Sequence, residues 1–187
     1  MRRGRLSRTV MLCLALAACG GSHQNATPAP GSGLAVTSTA FQTGGPIPSL
    51  FSCDGADLSP PLSWSVTPHG TAAYAVILED PDAPGGTFTH WVLLDLPATT
   101  TSLPQGVPPG QRPASGGVQA QNDAGITGYS GPCPPAGPAH HYRFTVYALD
   151  RPLGLVPAPS KGAALSAMKG HILSQGVLVG TYQRVAR

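Results

Sequence analysis

Tyr142-Arg143-Phe144-Thr145-Val146-Tyr147-Ala148-Leu149 decides the fold. Aromatic and β-branched side chains dominate it, and these fit a pleated, half-buried surface. It is the clearest strand in the chain. Upstream, Ala73-Tyr74-Ala75-Val76-Ile77-Leu78 is almost continuously apolar, as expected of a strand covered on both faces. Trp91-Val92-Leu93-Leu94-Asp95-Leu96 has the same character, Leu34 to Phe41 alternates apolar with small polar residues, and Val177 to Val185 reads as a last strand. One helix is expected. Ser160 is a good N-cap, Ala164, Leu165 and Met168 make an apolar face, and the pattern continues past Gly170 to about Leu173. Twenty-one prolines and 24 glycines impose many turns. Five or more strands and one late helix describe an all-β, β-rich domain over residues 34–187, a length that suits one domain. Ala98 to Gly128 has little hydrophobic periodicity, and a loop so long usually serves a function or wraps the surface.

Polar groups gather at the ends of these apolar runs. Glu79-Asp80-Pro81-Asp82-Ala83-Pro84 carries a strand into two carboxylates two residues apart, then into prolines that stiffen its exit. Taken alone, it reads more readily as a turn with solvated acids than as a site. Thr89-His90-Trp91 opens another strand. Gly128-Tyr129-Ser130-Gly131-Pro132-Cys133-Pro134-Pro135 is a rigid loop with backbone amides to offer, and His140-His141 leads into the strand at Tyr142. Adjacent residues of a strand face opposite sides, so at most one of these two histidines enters a given site. Imidazoles and backbone N–H groups suit phosphate oxygens, and a neighbouring carboxylate would orient the imidazoles. The chain has no Gly-x-Ser-x-Gly elbow and no His-Glu-x-x-His pair. No catalytic residue, metal or cofactor is expected, although Ser130 and His140 leave a hydrolase as the weakest alternative.

The N-terminus sets the address. Arg2, Arg3, Arg5 and Arg8 surround the start of a short apolar run, Val10 to Leu16, too short to span a bilayer. This is a secretory signal. Leu16-Ala17-Ala18-Cys19 resembles a bacterial lipobox, which implies cleavage after residue 18 and a lipid on Cys19. Residues 19–33, rich in Gly, Ser and Pro, are expected to be a flexible tether. The expected location is the cell envelope, on the extracytoplasmic side of a membrane. Losing the signal removes four of eleven basic residues and no acidic one, so seven face eight acids and the formal charge becomes −1. That balance gives no case for nucleic acid. It also removes Cys13 and commits Cys19. Cys53 and Cys133 remain, and in an oxidising compartment they are expected to pair, the alternative being two buried thiols.

Five stretches, in order, resemble the phosphatidylethanolamine-binding protein family in its bacterial, Raf kinase inhibitor-like branch: Cys53 to Trp64, Asp80 to Pro84, Thr89 to Trp91, Gly128 to Pro135 and His140 to Phe144. The resemblance implies a large central sheet packed on a smaller one, with one or two short peripheral helices. It implies an anion pocket walled by Asp80, Pro84, His90, Tyr129, Gly131 and His140, with Asp82 supporting the loop or approaching the ligand. His141 matches no pocket position. The C-terminal helix of eukaryotic members has no counterpart here, so their kinase and phospholipid recognition is not carried over. The expected function is non-catalytic binding of a small anion, such as phosphate or a phosphoethanolamine-type head group. The alternative is inhibition of, or interaction with, an envelope protease or other enzyme.

Overall fold

A computed structural model describes Met1 and residues 33–65, 67–155 and 159–185. The signal, Cys19 and nearly all of the tether lie outside the described residues. Among those described, eight strands form two antiparallel sheets. The larger sheet has the order β6 (Val118–Gln119), β4 (Phe88–Pro97), β3 (Ala73–Asp80), β7 (His140–Leu149), β8 (Ile172–Tyr182). The smaller has the order β1 (Ala35–Thr37), β2 (Leu62–Ser65), β5 (Ser102–Leu103).

The β-rich expectation and the two-sheet arrangement hold. β3 is covered on both faces, as its continuous apolar run requires. Tyr74, Val76 and Leu78 join Trp91, Phe144, Val146 and the Trp64 of β2 in a core between the sheets. Ala75 and Ile77 point the other way, toward Ala164 and Met168 of α1 (Lys161–Met168). Period-two alternation therefore sorts one strand into two cores.

Several boundaries differ from expectation. Ser160 caps α1 by accepting from the Ala163 amide, but the helix ends at Met168 rather than near Leu173. Gly170 turns the chain in the left-handed region at φ +82°, and the His171 amide closes onto Met168 O at 2.9 Å. β8 consequently starts at Ile172, five residues before the expected Val177. β1 is shorter than the alternation at Leu34 to Phe41 suggested. β2 was not anticipated, and the long loop contributes the two short strands β5 and β6.

β4 carries two irregularities that matter. Against β3, Leu78 pairs with Trp91 but Glu79 pairs with Thr89, leaving His90 as an extra residue in a β-bulge. Strict alternation would put His90 with Val92 and Leu94 on the helix side. The bulge turns it instead to the face of Tyr142. The second irregularity falls at Asp95, with φ +54°, whose carboxylate accepts from Leu153 N at 2.6 Å and Gly154 N at 2.8 Å.

Candidate functional site

Asp80 ends β3 and His140 begins β7, on the neighbouring strand. Their side chains meet, with His140 Nδ1 2.8 Å from Asp80 Oδ2. Both are buried, and Asp80 Oδ1 also accepts from the Asp82 amide at 2.8 Å. His90 comes from the bulge. Its Nδ1 lies 2.8 Å from Ser130 O, and its ring packs against Phe88 and Tyr142 with centroids 4.8 and 5.3 Å away. Burial is the main influence on His90 and lowers its pKa below the ordinary value, against the Ser130 carbonyl and the Asp80 and Asp57 charges.

The bulge is held from outside β4. Asn122 Nδ2 donates to His90 O at 3.0 Å and to Gly128 O at 3.1 Å. The Ser130 amide also donates to His90 O at 3.0 Å, while Asp123 Oδ2 accepts from the Thr89 amide at 2.6 Å. The backbone groups that the bulge takes out of the ladder are thereby satisfied. Deeper in β4, Gln119 accepts from Trp91 Nε1 at 2.7 Å and donates to Pro108 O and Gly110 O, tying the long loop down.

The glycine loop is clamped onto the segment around Cys53. Gly131 N donates to Asp57 Oδ1 at 2.6 Å and Cys53 N to Pro132 O at 3.2 Å. A Cβ on Gly131 would sit 2.3 Å from Phe51 O, so only glycine fits there. Cys53 and Cys133 form a disulfide with Cα atoms 5.4 Å apart. The pairing expected from the cysteine count is thus present, and it stands in a cavity wall.

That cavity, about 390 Å³, is lined by Asp80, Pro84, His90, Gly131 and His140, five of the seven residues carried over from the resemblance. The other two stand elsewhere. Tyr129 turns into the core and donates to Phe51 O at 2.6 Å, where its OH anchors the loop. Asp82 accepts from both the ring and the amide of His141, at 2.7 and 2.8 Å, on the outer surface. Those hydrogen bonds, the ring's first, lower the Asp82 pKa. His141 faces away from His140, as alternation requires. The amides of Ser130 and Gly131 are spent on protein acceptors, so the cavity's donors are side chains rather than the loop backbone.

Sequence reasoning missed Tyr142. It is fully buried and lines the cavity, and its hydroxyl makes no hydrogen bond of normal geometry among the described residues. Burial, and after it the nearby Asp80 carboxylate, raise its pKa well above the ordinary value, so it stays an O–H donor. The signal was present in the sequence, because residues 140 and 142 of one strand share a face. Among the described residues the Nε2 atoms of His90 and His140 likewise have no protein partner. The site can thus present two imidazole nitrogens and one phenolic donor to a small polar ligand. No group of His, Cys, Asp and Glu among the described residues is arranged to hold a metal.

Two antiparallel sheets with this cavity at one end of the larger one define a class of β-rich folds. The sequence model of the phosphatidylethanolamine-binding protein family matches residues 37–183, and the chain belongs to that family. It is similar to a UPF0098 protein of Methanothermobacter thermautotrophicus, 48% identical over 145 residues that cover 78% of this chain and 95% of that one. A Mycobacterium tuberculosis protein whose name includes "lipoprotein LppC" is 43% identical over 159 residues, 84% of this chain and 76% of that one. Among solved structures, the Chlamydia trachomatis homologue CT736 superposes with a TM-score of 0.75 at 38% identity, covering 82% of this chain and 99% of that one. Escherichia coli YbcL, described as a member of the mammalian family, gives 0.72 at 34% identity and covers 81% and 98%.

Proposed function

We propose that this is a lipid-anchored envelope protein whose cavity binds a small anion, phosphate or a phosphoethanolamine-type head group, without catalysing a reaction. One observation carries the reading: the Nε2 atoms of His90 and His140 and the buried hydroxyl of Tyr142 converge on one cavity with no protein partner among the described residues. A buried hydroxyl without a well-formed hydrogen bond is costly, and a ligand oxygen would satisfy that of Tyr142 while the two imidazoles border the same ligand. The volume fits a small molecule, for which sites of about 300–1,000 Å³ are usual. Ser130, the one residue considered as a nucleophile, makes no hydrogen bond from its hydroxyl to either imidazole among the described residues, which favours binding over hydrolysis. The anchor rests on Cys19 in its lipobox-like setting and is supported by the lipoprotein name of a relative.

The test is thermal unfolding of the full-length protein with inorganic phosphate or phosphoethanolamine. A ligand at a hundred times its Kd adds about 2.7 kcal/mol of stability. That gain is expected in the native protein and absent in His140→Ala and Asp80→Ala. No gain with either anion, or a gain undiminished in both variants, sinks the reading.

A further inference from the structure

Two ring nitrogens and one hydroxyl narrow the chemical form of the ligand. His90 Nδ1 stands 2.8 Å from Ser130 O. A carbonyl has no proton to give, so Nδ1 carries the ring hydrogen and a neutral His90 offers a lone pair at Nε2. Phe88 and Tyr142 pack on the ring, and Asn122 and Ser130 hold the backbone beneath it, which keeps this orientation. The Tyr142 hydroxyl is the opposite case, a buried donor beside the Asp80 carboxylate that makes no hydrogen bond of normal geometry among the described residues. His140 has its Nδ1 on Asp80 Oδ2, and as the imidazolium of an ion pair with that carboxylate it carries a second hydrogen at Nε2, which makes it a donor. One wall therefore asks for a hydrogen-bond donor and the facing groups ask for an oxyanion.

Building on the anion-binding reading, we propose that the cavity selects phosphomonoesters in their monoanionic form over phosphodiesters, with His90 as the residue that decides. A monoester monoanion brings a P–OH that donates to His90 Nε2, while its remaining oxygens accept from Tyr142 and His140. A diester has no P–OH. It would set an oxygen lone pair against the Nε2 lone pair or force a proton onto a buried ring. The titratable groups near His90 point the same way. Asp80 lines the cavity and Asp57 stands behind the Gly131 amide, so both carboxylates disfavour a dianion. Tyr142 and His140 complete the set. Burial opposes a charged His90, leaving the ligand as the carrier of the shared proton.

The experiment compares phosphoethanolamine, a free monoester, with glycerophosphoethanolamine, a diester carrying the same amine and standing for the phosphate of an intact lipid. Calorimetric titration of the full-length protein at pH 6 is expected to give a Kd for the monoester about tenfold to a hundredfold lower, the usual penalty for a buried polar group left unpaired. In His90→Phe, which keeps a ring between Phe88 and Tyr142, that ratio should fall toward one. A second readout needs no variant. At pH 7.5 free phosphomonoesters are mainly dianions, since their second pKa is about 6. Titration in buffers of different ionisation enthalpy should then show close to one proton taken up per ligand bound. Equal affinity for both probes would overturn the selectivity and leave the anion-binding reading standing. Binding of neither would overturn both.

Discussion

At the scale of single residues, Tyr142 is the sharpest test of the cavity. Its hydroxyl is buried and makes no hydrogen bond of normal geometry among the described residues, so removing it should cost the fold little. Tyr142→Phe is expected to leave the unliganded protein as stable as before, or more stable by up to about 1 kcal/mol, while weakening phosphate binding. Thermal unfolding with and without phosphate measures both effects. A loss of stability without ligand would show that the hydroxyl already has an acceptor. The same residue marks a limit of sequence reading. His140 and Tyr142 share a face by arithmetic alone, and Asp80 was legible because prolines follow it closely. Tyr129 was misplaced because a tyrosine in a glycine-rich loop gives no sign of which way it turns. Only the fold supplies Phe51 O as its acceptor.

At the scale of elements, strand content was legible wherever both faces are buried, because a continuous apolar run fits few other settings. β3 and β4 are such cases, while β7, half-exposed at its start, was legible from its aromatic and β-branched residues. The edges were not. β5 and β6 are two residues each, set by their partners rather than by their own composition. The bulge at His90 was also invisible, because it is held by Asn122, Asp123 and Ser130, all more than thirty residues downstream. The disulfide joins two elements 80 residues apart and stands in the cavity wall. On the chain-entropy model a loop this long contributes about 4–5 kcal/mol. The wall has other fastenings in the Gly131–Asp57 and Cys53–Pro132 hydrogen bonds. Cys53→Ser with Cys133→Ser is therefore expected to lower stability by as much as about 4 kcal/mol while phosphate still binds below the new transition. Denaturant unfolding with calorimetric titration of the same sample checks it. Loss of binding in a variant that remains folded would make the bridge indispensable to the site.

At the scale of the whole molecule, the family and the two-sheet arrangement were readable because five short motifs keep their order across the domain. On the proposed reading, address is a separate matter, carried by residues before the domain. No helix among the described residues is long and apolar enough to cross a membrane, so attachment on the proposed reading falls to Cys19. Cys19→Ala should move the protein from the membrane to the soluble fraction, and mass spectrometry of the native chain should find a diacylglycerol-sized addition at its new N-terminus. An unchanged distribution would refute the anchor. The larger sheet carries one further consequence. Deleting one residue at the His90 bulge would restore regular pairing at that end of the β3–β4 ladder, yet it would also swing the imidazole wall out of the cavity. Selection for thermal robustness alone would favour that repair. A laboratory lineage evolved only to survive heat should therefore drift toward a smoother sheet and an empty function, and a screen that rewards ligand retention is needed to keep the irregular strand.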